Sequence, residues 1–472
     1  MTAEAGMLSL LIWAASGGAA PAVPSDGVPA SGQLEGRPVG EAVSELQARV
    51  DAAAPGATVE VPAGLYRGDL VLDRPVTLVG RGRPLLLGSG EGSVVRVRAA
   101  GVTVQGFDID GRAGGDLGRD PSGVHVAAHG VTVRDVRIRG SLFGIYLREA
   151  DDSVVEGCEV VGIPGRDPGE KGSGIHVWNT HRFRLERNVV TEARDGFYIQ
   201  SSDHGLVRGN EARNLRYGLH YMFSDDNVFE DNLFENCDAG TALMYSKRLV
   251  FHHNRFLHNR GFASVGLLLK ACDELVAEAN VIVDNARGIF LEGSYRNIFR
   301  DNLIADSDIA VVLYDSCGDN QLVGNTFIAN LSPLSLVGKR TDTRFEGNYW
   351  SDNLEPDLDG DGRSDRPYRL SSVFDHFRGN LTAADLMALS PAATALAALP
   401  WSGNPDPDMA ALGCFIERYI AAVPQALVDQ TRPYMEFRTA SFQDWDPQTR
   451  AMLVATRFGN VAQLHRVRAA LG

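Results

Sequence analysis

One residue pattern returns about every 22 positions and limits this chain to very few architectures. Gly144-Ile-Tyr-Leu, Gly174-Ile-His-Val, Gly196-Phe-Tyr-Ile and Gly218-Leu-His-Tyr share one shape. Gly240-Thr-Ala-Leu, Gly266-Leu-Leu-Leu, Gly288-Ile-Phe-Leu and Ala310-Val-Val-Leu continue it, with steps of 30, 22, 22, 22, 26, 22 and 22. A second marker runs alongside: Asn188, Asn210, Asn232, Asn254, Asn280, Asn302, Asn325 and Asn348, with steps of 22, 22, 22, 26, 22, 23 and 23. Two residue types thus share one period and one insertion.

A period of this length with alternating apolar residues is one coil of a β-solenoid, because a single coil cannot bury its own apolar face. The fixed leucine spacing of leucine-rich repeats, which have a similar period, is absent. Stacked coils about 4.8 Å apart pair every strand with the one above and the one below. Asparagine suits such a stack, since it tolerates a left-handed turn and its amide can hydrogen-bond up the column. Cys158 takes the place of Asn188 one coil earlier, so the ladder is expected to end there. Gly101-Val-Thr-Val and Gly130-Val-Thr-Val open weaker coils, and the strand around Val59 opens the first. Residues 41–54 form an amphipathic pattern with Val43, Leu46 and Val50 on one face, as expected of a helix that covers the first open strand edge.

The expected fold is therefore all-β: a right-handed parallel β-helix over residues 57–353, an N-terminal capping helix within 39–56, and a mostly helical C-terminal extension over 401–472. Helical stretches are expected at 409–426 and 448–457. The short apolar run from Met7, followed by small residues and a Pro/Gly/Ser-rich stretch to Pro38, has the character of an export signal and linker, although Glu4 stands where a basic residue is usual. A net charge of −15 argues against a nucleic-acid partner, which needs clustered Lys and Arg. The five widely spaced cysteines, with no CxxC pair, suggest buried apolar packing rather than a disulfide framework.

Strand side chains alternate, so register decides which of them face solvent. Counting from the marker glycine, positions +1 and +3 are apolar and belong to the core. Position +2 then faces out and reads His125, Tyr146, His176, Tyr198, His220, Ala242, Leu268 and Phe290 up the stack. Position +4 reads Arg148, Trp178, Gln200, Met222, Met244, Lys270 and Glu292. Two outward thioethers on adjacent coils beside His176 and His220 make a soft donor set suited to copper(I). The same stripe, with His125, Tyr146, Trp178 and Tyr198, also reads as a protein-docking surface, a sugar-stacking groove or ordinary strand surface. His252 and His253 are expected to point to opposite faces and so not to share an ion; with His258 they are secondary candidates.

A separate acidic loop over 354–370 places Asp357, Asp359, Asp361 and Asp365 at positions 1, 3, 5 and 9, with Gly362 at 6. That is the front of an EF-hand-type calcium loop, but Tyr368 replaces the closing glutamate at position 12. A full EF-hand is excluded; a one-sided structural calcium loop and an ion-free Asx-turn loop both remain.

The strings Asp195-Gly-Phe-Tyr-Ile-Gln-Ser, Tyr217-Gly-Leu-His-Tyr-Met-Phe-Ser-Asp-Asp-Asn, Ala242-Leu-Met-Tyr-Ser-Lys-Arg and Asn259-Arg-Gly-Phe-Ala-Ser closely resemble the NosD family of nitrous-oxide reductase maturation proteins. Gly288-Ile-Phe-Leu-Glu-Gly-Ser, Asn330-Leu-Ser-Pro and Arg340-Thr-Asp-Thr-Arg extend the resemblance. It implies a non-enzymatic periplasmic subunit that docks on an ABC transporter permease and ATPase, with a copper chaperone lipoprotein as donor and nitrous-oxide reductase as the protein served. It also implies membrane association through the permease, here by residues 371–400. Residues 401–472 lie outside the resemblance. The competing reading is a carbohydrate-active β-helix enzyme, a lyase or glycosidase, which would need paired carboxylates across an outer groove.

Overall fold

The computed structural model describes residues 43–368, apart from 115–119, 262–263, 339–340, 354–355 and 366–367, together with residues 440–446, 451–458 and 461–467. The export-like segment, residues 371–400 and the helix expected at 409–426 lie outside the described residues.

The chain winds as a parallel β-solenoid whose coils contribute one strand each to three sheets of 13, 13 and 12 strands. Each strand's sheet neighbours lie three strands away in sequence, as a three-sided coil requires. The expected parity holds along the third sheet. Ile145, Leu147, Ile175, Val177, Phe197, Ile199, Leu219 and Leu243 are fully buried at +1 and +3. Phenylalanines stack from coil to coil inside, Phe229 on Phe251 at 4.4 Å and Phe234 on Phe256 at 5.4 Å.

The marker glycines are needed for close approach rather than for backbone freedom. A Cβ on Gly196 would lie 2.5 Å from the Gly218 carbonyl oxygen, and one on Gly218 would lie 2.6 Å from that of Gly240. The asparagine ladder is buried and closed. The Asn210 side-chain oxygen Oδ1 accepts both the backbone N–H of Asn188 (2.9 Å) and its side-chain amide (2.9 Å), and Asn232 Oδ1 does the same for Asn210 (3.0 and 3.0 Å). At its foot the Cys158 N–H donates to Asn188, so the column does end there. The left-handed residue at this corner is not the asparagine but its predecessor: Arg187, Asp231, His253, Ala279 and Asp301 all have positive φ. The amide is there for its buried hydrogen bonds.

A hydroxyl ladder follows the third sheet: Ala150 N–H to Thr180, Thr180 N–H to Ser202, Ser202 N–H to Ser224, and Ser224 N–H to Ser246. The residue before each hydroxyl is left-handed: Asn179, Ser201, Phe223 and Tyr245, as is Glu149 before Ala150.

The helix at the N-terminal end spans Val43–Ala52 and buries Val43, Leu46 and Val50. Gln47 closes the strand edge directly: its amide donates to the Val71 carbonyl (2.8 Å) and accepts the Val71 N–H (2.9 Å). At the other end Phe327, Trp350 and Tyr368 stack at 4.0 and 4.5 Å.

Residues 440–446, 451–458 and 461–467 form a three-stranded antiparallel sheet. The helical expectation for 448–457 is corrected here, since Ala451–Phe458 is a strand paired on both sides. Phe458 pairs with Val461 around Gly459-Asn460, a dipeptide that favours a two-residue hairpin, and β-branched Val454 and Thr456 suit a strand. Among the described residues no helix is long and apolar enough to cross a membrane.

Candidate functional site

The outward stripe of the third sheet is built by register. His125 pairs with Tyr146, Tyr146 with His176, His176 with Tyr198, Tyr198 with His220, and His220 with Ala242. Strand spacing then brings the rings into contact, with centroids 5.1, 4.5, 4.4 and 4.8 Å apart from His125 up to His220, stacked between His176 and Tyr198 and edge-on between Tyr198 and His220. The ladder stops at Ala242, which offers no ring.

This packing corrects the reading of the whole stripe as exposed. Tyr146 points outward yet is only 7% exposed, because His125, Phe143 and His176 cover it. Burial pushes its hydroxyl up to about 12. His176 is walled by Tyr146, Tyr198 and Phe143, its Nδ1 has no hydrogen-bond partner, and burial drives its pKa down to about 3. Trp178 is half-buried, with the Arg148 guanidinium over its ring at 5.2 Å.

The four proposed soft ligands fall into two groups. Met222 and Met244 are register partners, and His220 lies two residues before Met222 on the same face. His176 stands two coils from His220, roughly 9.6 Å at the usual strand spacing. The Tyr198 ring lies between them. Tyr198 also holds the neighbouring coil, its hydroxyl lying 2.7 Å from the Gln200 carbonyl oxygen and 3.8 Å from the Met222 sulfur.

Electrostatics single out His220. Asp195, only 2% exposed, takes two hydrogen bonds from Arg216 at 2.8 and 2.7 Å and lies 3.3 Å from His220 Nδ1. Burial alone would raise the Asp195 pKa, but hydrogen bonds from His220 and Arg216 outweigh it and hold the carboxyl below its usual range. Arg216 in turn lies 4.3 Å over the Tyr217 ring.

Two aromatic residues escape a reading by strand parity. Phe223 and Tyr245 follow Met222 and Met244 directly, are 53% and 48% exposed, and stack at 5.0 Å with ring planes 9° apart. Both occupy the left-handed column, where bulky side chains are costly and where the coils around them carry Asn179, Ser201, Ala271 and Gly293. The sequence signal was the break in that column: a ring where every neighbouring coil has a small or polar residue.

The other candidates behave differently. The His252 and His253 rings lie on the same side, stacked at 5.9 Å, because the left-handed backbone at His253 breaks strand alternation. His258 is tied to Asp284 at 2.7 Å. In the acidic loop Asp357, Asp359 and Asp361 offer carboxylate oxygens within 4.8 Å of one another, all exposed. Asp365 instead accepts the Leu358 N–H at 2.6 Å. Asp357 accepts the N–H groups of Gly360 and Gly362, so the loop already closes as a set of Asx-type turns. Cys158, Cys237, Cys272 and Cys317 are buried and free, with burial pushing the first three thiols up to about 12.

Chemically, two thioethers and one imidazole make a soft, neutral donor set, which fits a monovalent copper cargo and suits hard oxygen-seeking ions poorly. Paired outward carboxylates, which a glycosidase needs, are not found on this stripe among the described residues.

Comparison with known proteins bears on this geometry. The sequence model of a family described as "Periplasmic copper-binding protein (NosD)" matches residues 161–355. The chain is 31% identical over 335 residues to the "Probable ABC transporter binding protein NosD" of Stutzerimonas stutzeri, covering 67% of this chain and 76% of that one. It is 33% identical over 334 residues to the protein so described in Pseudomonas aeruginosa, covering 66% and 77%. Among solved structures, the A-module of the Azotobacter vinelandii mannuronan C-5 epimerase AlgE6 superposes with a TM-score of 0.58 at 19% identity, over 65% of this chain and 94% of that module. At that identity the likeness is one of fold alone.

Proposed function

The chain belongs to the NosD family, and on that premise we propose that it is a non-enzymatic periplasmic accessory subunit of an ABC transporter, acting in copper delivery for the cluster maturation of nitrous-oxide reductase. His220, Met222 and Met244 receive the ion, and a copper chaperone lipoprotein supplies it. The permease and ATPase are its membrane partners, with residues 371–400 as the contact.

The observation that carries this reading is the pairing of Met222 with Met244. Rigid parallel strands hold both thioethers on one face with His220 beside them, so ligand order costs little on binding. Thioether sulfur and imidazole match the softness of copper(I). The exposed Phe223–Tyr245 pair lies next in sequence to both methionines and offers a compact apolar contact for the donor protein. The relatives' descriptions as transporter binding proteins, and a stripe without paired carboxylates among the described residues, support the non-enzymatic reading over the lyase or glycosidase one.

The test is an anaerobic copper(I) titration against a chromophoric competitor, wild type beside Met222→Ala/Met244→Ala. A large loss of affinity in the double variant is expected. Unchanged affinity removes the site.

A further inference from the structure

Among the described residues, the group that meets a histidine's Nδ1 differs from one histidine to the next. His129 Nδ1 accepts the Asp151 N–H at 3.1 Å, and His181 Nδ1 accepts the Asp203 N–H at 3.1 Å. Both line one cavity of about 440 Å³ beside Arg148 and Glu149. A nitrogen that accepts a backbone N–H carries no proton, so in the neutral ring the proton sits on Nε2. These two imidazoles turn a donor outward and have no free lone pair to give.

His220 is the reverse case. Its Nδ1 faces the Asp195 carboxylate at 3.3 Å, an acceptor that cannot donate. Arg216 Nη2 also lies 3.5 Å from Nδ1, at the outer limit of a hydrogen bond, but is committed to Asp195 at 2.7 Å. Tyr198 and Tyr217 meet the imidazole edge-on at 4.8 and 5.1 Å and fix its rotation. His258 also meets a carboxylate, but at an exposed turn outside the stripe.

We infer that Asp195 and Arg216 are positioning residues that hold His220 in its Nδ1–H tautomer and leave Nε2 as the atom that meets the ion. The inference rests on the copper reading for its purpose, but the tautomer itself does not depend on any metal. Orientation by a buried carboxylate raises the donor strength of an imidazole, and loss of such support costs about 10–100-fold in metal affinity.

The experiment uses the full-length, metal-free chain labelled with ¹⁵N. Two-bond ¹H–¹⁵N correlation spectra report which ring nitrogen carries the proton, with His220 signals identified by their loss in His220→Gln. The expected wild-type result is a protonated Nδ1 for His220 and a protonated Nε2 for His129 and His181. A protonated Nε2 in His220 overturns the inference whether or not any variant folds. In Asp195→Asn the His220 proton is expected to shift toward Nε2, and copper(I) affinity to fall about 10–100-fold. Unchanged affinity in Asp195→Asn, beside weakened binding in Met222→Ala/Met244→Ala, overturns the positioning role and leaves the copper site standing. Unchanged affinity in the methionine variant overturns the copper site and leaves the tautomer result as measured.

Discussion

Met222 and Met244 lie directly opposite one another in adjacent parallel strands, each four residues beyond the glycine that opens its coil. Nothing but register brings them together, and the same register puts Phe223 against Tyr245 one residue later.

That second pair is a test of strain. A bulky residue in the left-handed region costs about 1–2 kcal/mol. Phe223→Asn and Tyr245→Asn are therefore expected to leave the melting temperature unchanged or raise it. Phe229→Ala, which removes a fully buried ring stacked on Phe251, is expected to cost about 3–5 kcal/mol. Thermal melts of the three variants decide it, and clear destabilisation by the asparagine changes would show that the exposed pair serves the fold.

The buried amide column predicts a different cost. Asn232→Ala removes the acceptor of the Asn210 N–H and side-chain amide and two donated bonds, to Val207 and Asn254. A loss of about 2–3 kcal/mol is expected, with the buried Asn210 donors left unmade. Urea unfolding measures it. A change under half that size would mean water enters the corner.

Close approach of neighbouring coils makes Gly196→Ala harmful for a steric reason. The added Cβ would lie 2.5 Å from the Gly218 oxygen and 2.8 Å from the Ala212 Cβ. Overpacking of about 1–3 kcal/mol is expected, seen as a lower urea midpoint. At exposed Gly130, where an added Cβ meets nothing within 4 Å, the penalty comes only from its positive φ, about 1 kcal/mol, and Gly130→Asn should recover most of it.

Acid sensitivity follows from His176. Its pKa is about 3 in the folded chain, against an ordinary 6.5 when unfolded. Between those values the unfolded state binds the extra proton, so stability is complete above pH 6.5 and falls as pH drops toward 3. The slope from one such group reaches at most about 1.4 kcal/mol per pH unit. His176→Phe keeps the ring stack and removes the proton, so its melting temperature should fall less steeply between pH 6 and about 4. Parallel curves for wild type and variant would sink this account.

Core parity was legible because it depends only on backbone alternation: Ile145, Phe197 and Leu269 had no other way to face. The partnership of Met222 with Met244 was legible for the same reason. What parity cannot show is how outward side chains cover each other. Rings on successive coils are larger than the strand spacing, so Tyr146 is roofed by its neighbours and Tyr198 stands between His176 and His220. Asp195 was passed over because it precedes the marker glycine, outside the positions counted, and its role appears only when Arg216 and His220 from the next coil close on it. At the far end, helix-like composition hid the strand Ala451–Phe458, where Gly459-Asn460 was the better guide.

The direction of the asparagine column carries a consequence for how the chain is made. The side-chain oxygen of Asn210 serves Asn188, that of Asn232 serves Asn210, and so on upward, so the backbone N–H of each of these asparagines, and one of its two side-chain amide bonds, are met by a residue that comes later in the sequence. During synthesis, with the N-terminus emerging first, each new asparagine rung is completed only by its successor. The growing end is always the frayed one, and a chain stalled partway would carry a single raw coil at its tip above a completed stack.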